Sequence, residues 1–207
     1  NASKLMGLRF HLQTYFEPEH PVQKNILEVI AEFCMLQTTE IQLGTDGCSV
    51  PSFAIPLRNA AAGWARLMDP SSFTSSRQLA AETISAAMSS HPFMVAGPGR
   101  LDTRVMEVTK GRIIAKGGAE AFHSLGIRGG ALGSDSPALG IAIKISDGDP
   151  GKRVKDRVVI ETLKQLDLLS DAELENLKEF KPEYPITNQR DITVGRGIPC
   201  FQLETYQ

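Results

Sequence analysis

Cysteine is scarce in these 207 residues: Cys34, Cys48 and Cys200 are odd in number and follow no repeating interval. That excludes a disulfide framework and fits a reducing compartment, so a cytoplasmic location is expected. Neither sign of charge dominates, with 22 basic against 24 acidic side chains and a net charge of -2, which leaves no electrostatic footprint for nucleic acid. No apolar run reaches the roughly 18 residues that span a bilayer, and no secretory apolar region opens the chain. The Gly-rich runs at 97–100, 116–119 and 127–133 lack the GxxxxGK(S/T) spacing of a phosphate loop. The four histidines form no HxH or HxxxH pair, so each reads as structural and not as a metal ligand. Ser-x-x-Lys is absent as well, and a serine nucleophile needs such a base beside it.

What is present is ordinary for a globular chain, 42% hydrophobic and 22% charged. The length supports a single domain over 1–207 with a substantial core. The one basic cluster, GKRVKDR at 151–157, reads as the solvated face of a helix.

Periodicity predicts helices first. Residues 4–12 place Leu5, Leu8 and Leu12 at helical spacing, and a helix over 22–36 presents Val22, Ile26, Val29, Ile30 and Phe33 on one face. A strand over 40–43 leads into a loop, SFAI at 52–55 reads as loop between Pro51 and Pro56, and an Ala-rich helix with Trp64 covers 58–68. Ser75 or Ser76 caps a helix running to Ser89, 90–100 is a connection, and Asp102 caps a short helix to Val108. Strands then follow at 112–116, 120–126 and 139–145, helices at 153–167 and 171–180, and a last strand at 198–204. Helices, a strand cluster, then more helices predict an α+β fold with a mostly antiparallel sheet and flanking helices.

Two places carry chemistry. GTDGCSVP, at 44–51, sets Asp46 two residues before Cys48 in a segment too rich in Gly and Pro for a helix. The pair suits a shared metal or a polar substrate; the plainer reading is an Asx turn on Asp46 with Cys48 tucked into the core. Lys116 ends an apolar strand before two glycines. It is either solvent-facing or held in a cleft, where burial would make it a base or an electrostatic anchor.

Four runs taken together, GTDGCSVPSFAIPL (44–57), SHPFMVAGPGRLDTRVM (90–106), IIAKGGAEA (113–121) and ALGIAIKISDG (138–148), resemble the thermolabile or Rhizobium-type L-asparaginase II family in order and spacing. The resemblance implies a serine β-lactamase/glutaminase-like fold and hydrolysis of the asparagine side-chain amide to aspartate and ammonia. It implies that Lys116 is the strand lysine of the site, with Gly117 beside it in substrate binding, and that Asp46-Gly47-Cys48 is the family's zinc-binding triplet. The family's Cys-Ser-Gly-Lys-His segment falls on Asn1-Ala2-Ser3-Lys4-Leu5, which keeps Lys4 but loses the cysteine and the histidine. Lys4 is thereby a second catalytic candidate, positioning the amide or the nucleophile, and Asp46 holds the substrate's amino group. Loss of one soft ligand leaves the zinc site degraded, and no cofactor is expected.

The Ser-x-x-Lys and second-serine segments of the family have no counterpart here, and the chain opens on Asn1 and not on Met. The expectation is a C-terminal portion of a longer, processed or split protein, completed by an N-terminal fragment, likewise a homo-oligomer, with an amide or amino-acid substrate and neither nucleic-acid nor membrane partner. Two other readings stay open: a repurposed biosynthetic relative acting on another amide or amine, and a non-catalytic binding subunit.

Overall fold

In the computed structural model, which describes residues 12–204, the central element is an antiparallel meander of β3 (Ile113–Gly117), β4 (Phe122–Ile127) and β5 (Leu139–Lys144), in that order. Alternation along each strand divides its side chains between two faces. On one face Ile113 opposes Ile127 and Ala115 opposes Leu125. These pack with Leu101 and Val105 of α5 (Leu101–Val108) and with Val159, Ile160 and Leu163 of α6 (Lys155–Gln165). On the other face Ile114 joins Met68 and Met106 beneath Trp64.

That second face is where glycine matters. Gly126 and Gly140 are register partners on β4 and β5, and α2 (Leu57–Met68) lies across them. A Cβ on Gly140 would stand 1.8 Å from the Ala61 carbonyl oxygen and 2.7 Å from the Ala65 nitrogen. The helix backbone therefore rests directly on the strand, an approach only glycine permits.

The remaining elements are α1 (Pro21–Cys34), a hairpin of β1 (Gln42–Thr45) and β2 (Pro51–Ala54), α3 (Ser75–Ser90), α4 (Pro92–Ala96), α7 (Asp171–Asn176), and a ribbon of β6 (Tyr184–Thr187) and β7 (Thr193–Gly197). Their ends are set locally. His20 Nδ1 accepts from the Val22 N–H at 3.2 Å, and Pro21 opens α1. Ser170 and Glu173 form a capping box on α7, and Arg112 holds both Glu173 oxygens, at 2.8 and 3.0 Å, to tie α7 to the start of β3.

The α+β, antiparallel expectation holds, although the strands fall into three separate small sheets. Four local readings are corrected. SFAI is mostly strand β2, because Pro51 sits at a strand's first residue, where no ladder N–H is needed. The 90–100 connection contains α4, opened by Pro92. The last strands are β6 and β7, while the 198–204 segment lies on α6 through Gln165, which bonds the Phe201 carbonyl and the Leu203 N–H. The expected serine and Asp102 caps do not form: α3 has Thr74 at its N-cap, with Ser75 and Ser76 already inside the helix, α5 has Arg100 at its N-cap, and neither end has a side-chain cap bond. The predicted face of α1 is only half covered, with Val29, Ile30 and Phe33 lining an apolar cavity of about 290 Å³ beside Trp64 and Phe122. The helix expected over 4–12, and Lys4 with it, lie outside the described residues apart from a 3-10 turn at Leu12–Thr14.

Candidate functional site

The end of β3 collects the charged groups. Lys116 points to the α2 side of the sheet, opposite Ser124, and is exposed. Of its two sequence readings, the structure places it at the surface and not in a buried cleft. Its Nζ donates to the Gly117 carbonyl at 2.6 Å, and its own carbonyl accepts from Ser124 Oγ at 3.1 Å. The backbone carrying this lysine is thus fixed while its side chain remains reachable.

Gly117 turns to the opposite face. Its N–H donates to Asp102 Oδ1, and the accepting carboxylate, on the first turn of α5, is 2% exposed. His123, the register partner of Gly117, is fully buried. Its Nδ1 lies 3.2 Å from Lys155 Nζ, which also donates to Asp156 Oδ1. Its Nε2 is buried with no hydrogen-bond partner among the described residues. Glycine at 117 makes room for this: a Cβ there would lie 3.3 and 3.5 Å from the two Asp102 oxygens and 3.6 Å from His123 Nδ1. Asp102, Lys155 and Asp156 line a cleft of about 410 Å³ together with Glu120, Asp149 and Lys152. The Asp149 carboxylate is held below its usual range by N–H groups at the start of α6, which outweigh its burial.

Burial, aided by the Lys155 and Lys116 charges, pushes the His123 imidazole down from 6.5 to about 4 against the pull of Asp102 and Asp156. A histidine whose folded pKa lies below its unfolded one stabilises fully above the unfolded value and loses that contribution as pH falls toward the folded value. The window runs from 6.5 down to about 4, and the difference amounts to about 3 kcal/mol. Urea unfolding at stepped pH is expected to show this loss in the wild type and a flatter slope in His123→Gln. Equal slopes in the two proteins would contradict the assignment.

Sequence reasoning missed Asp102, His123 and Lys155. Asp102 read as a cap, His123 as one lone histidine, and Lys155 as part of a solvated basic face, yet its side chain is only 17% exposed. The signal available was the hairpin: a strand ending in Lys-Gly-Gly must fold back, which brings His123 opposite Gly117.

Asp46 and Cys48 lie in the β1–β2 turn. Asp46 Oδ1 accepts from the Gly47 N–H at 2.7 Å, and the Ser49 N–H closes the turn on the Asp46 carbonyl at 2.8 Å. Cys48 is exposed, so the buried-thiol reading is corrected: the thiol stands on a hairpin tip with no core against it. Its Sγ is 3.7 Å from Asp46 Oδ2, a span two ligands of one zinc ion can bridge. Among the described residues, however, no group of three or more His, Cys, Asp or Glu side chains is placed to hold a metal. Two donors do not make a tetrahedral site, and the residues described do not fit zinc. No hydrogen bond or ion pair among the described residues joins this turn to the Lys116 end of β3. Stoichiometric zinc added to metal-free protein is expected to leave the melting temperature unchanged; a rise that disappears in Cys48→Ser would show a working site.

No helix among the described residues is long and apolar enough to cross a membrane. No curated protein matches the chain. The L-asparaginase II family model matches residues 3–198, a span holding the β1–β2 turn, the whole meander and every member of the Asp102–His123–Lys155 cluster. With nearly its full length matched, the chain belongs to the L-asparaginase II family, whose members are amidohydrolases.

Proposed function

We propose that this chain supplies the lysine-bearing part of a site that hydrolyses the side-chain amide of L-asparagine to L-aspartate and ammonia. Membership of the L-asparaginase II family over 3–198 carries the reading. Water adds across the amide C–N bond; the carbonyl carbon keeps the oxygen and the nitrogen leaves as ammonia. Lys116 is the group for proton traffic, as base toward the nucleophile and donor toward the leaving nitrogen. Gly117 contributes backbone beside it, Lys4 positions the amide or the nucleophile, and Asp46 holds the substrate ammonium. No step passes through zinc.

In this reading the nucleophile is the serine of a Ser-x-x-Lys segment supplied by an N-terminal fragment, on a serine β-lactamase-like architecture. A homo-oligomer working in the cytoplasm completes this reading. Asn1 and Leu5, where the family carries a cysteine and a histidine, favour a second reading, a repurposed relative that keeps the pocket but acts on another amide or amine. A thermal-shift series with asparagine, glutamine and aspartate, run beside an ammonia assay, separates the two, because specific ligands stabilise the folded state. Stabilisation with ammonia release supports hydrolysis. Stabilisation by other amides or amines, without release from asparagine, supports the second reading.

A further inference from the structure

We propose that Asp102 is a positioning residue that fixes Lys116 through the peptide joining it to Gly117; this rests on the reading of Lys116 as the proton-transfer group. Three contacts converge on that stretch of backbone. The Lys116 carbonyl accepts from Ser124 Oγ at 3.1 Å, the Gly117 N–H donates to Asp102, and the Gly117 carbonyl accepts the Lys116 ammonium at 2.6 Å. The lysine side chain therefore rests on a carbonyl whose own residue is pinned by Asp102. Release of that pin frees the strand end and moves the resting place of Nζ with it.

The chemistry of the pin points the same way. A strand-end N–H needs only water or a neutral acceptor, whereas a buried carboxylate carries a desolvation cost of several kcal/mol unless it is paired. Asp102 is 2% exposed and contributes no helix cap. The surroundings accommodate it: Gly117 leaves space against both its oxygens, and His123, in contact with Lys155, borders the same glycine. A charged acceptor binds an N–H about twice as strongly as a neutral one, which suits a peptide that must not shift while protons move at the next residue.

The test compares Asp102→Ala, which removes the acceptor, with Asp102→Asn, which keeps an acceptor oxygen of the same reach. Each is assayed for kcat and KM in the complete amide-hydrolysing assembly. Each is also followed by NMR of isotopically dimethylated Lys116, whose signal is assigned by its loss in Lys116→Arg. Asp102→Ala is expected to lower kcat by about 10- to 100-fold with little change in KM, the effect of a misplaced group, and to move the Lys116 signal. Asp102→Asn is expected to restore most of both. If Asp102→Ala does not fold, Gly117→Ala replaces it, since its Cβ would crowd Asp102 Oδ1 at 3.3 Å, and the same displacement of the Lys116 signal is expected. A folded Asp102→Ala protein, or its Gly117→Ala replacement, with unchanged kcat and an unmoved Lys116 signal overturns the proposal. Activity that survives Lys116→Ala overturns the reading of Lys116 instead. If the wild-type assembly is inactive, the NMR comparison alone decides whether Asp102 positions the lysine.

Discussion

Gly140→Ala is expected to leave little or no folded protein. The added methyl would stand 1.8 Å from the Ala61 carbonyl oxygen and 2.8 Å from its carbon. Both belong to helix backbone, so no rotamer change relieves the overlap, and α2 would have to lift from β4 and β5. Overpacking usually costs about 1–3 kcal/mol when side chains can yield. Separating a helix from the sheet it covers is expected to exceed about 4 kcal/mol, close to the whole stability of many domains. Gly126→Ala supplies the comparison. Its methyl meets Met68 Cγ at 2.6 Å and Sδ at 2.9 Å, atoms of a flexible side chain that can move aside. Thermal melts followed by circular dichroism should rank the proteins wild type, Gly126→Ala, Gly140→Ala in falling stability. A Gly140→Ala protein at least as stable as Gly126→Ala would contradict the packing described for α2.

Lys116→Ala is expected to reduce amide hydrolysis by about 10²- to 10⁴-fold, the usual worth of a positioned proton-transfer group, while leaving stability within about 0.5 kcal/mol because the residue is exposed. Lys116→Arg separates two ways a lysine could act. Arginine keeps the positive charge but does not give up its proton in proteins. If Lys116 carries protons, arginine restores nothing; if it only anchors charge, arginine restores a substantial part. Steady-state kinetics on the two variants, beside their melting temperatures, decides between these outcomes.

Much of the core was legible because β propensity and burial coincide there. The strands over 112–116 and 139–145 are Ile-rich runs whose alternate residues fill the cluster beneath α5 and α6, so propensity and packing ask for the same structure. The β6–β7 ribbon was not legible: its residues are mostly exposed, and Pro185, Gly195 and Gly197 disguise it as loop. The opposite error arose at 198–204, an apolar segment with the composition of a strand, which packs on α6 and joins no sheet. The site divided in the same way. Lys116 stood out because two glycines follow it, a local signal. Asp102, His123 and Lys155 lie 21 and 32 residues apart along the chain and have no local signal; only the fold of α5, β4 and α6 around Gly117 brings them together. In the β1–β2 turn the sequence revealed the bend but not its exposure, because a short turn with one cysteine reads alike at a surface and against a core.

The measurement that tests the account most directly is ammonia release from L-asparagine and L-glutamine by this chain assembled with a segment carrying Ser-x-x-Lys. The expected result is release from asparagine that falls to near background in Lys116→Ala while the variant remains folded. Release unaffected by Lys116→Ala, or no release above background from the folded wild-type assembly, would contradict it.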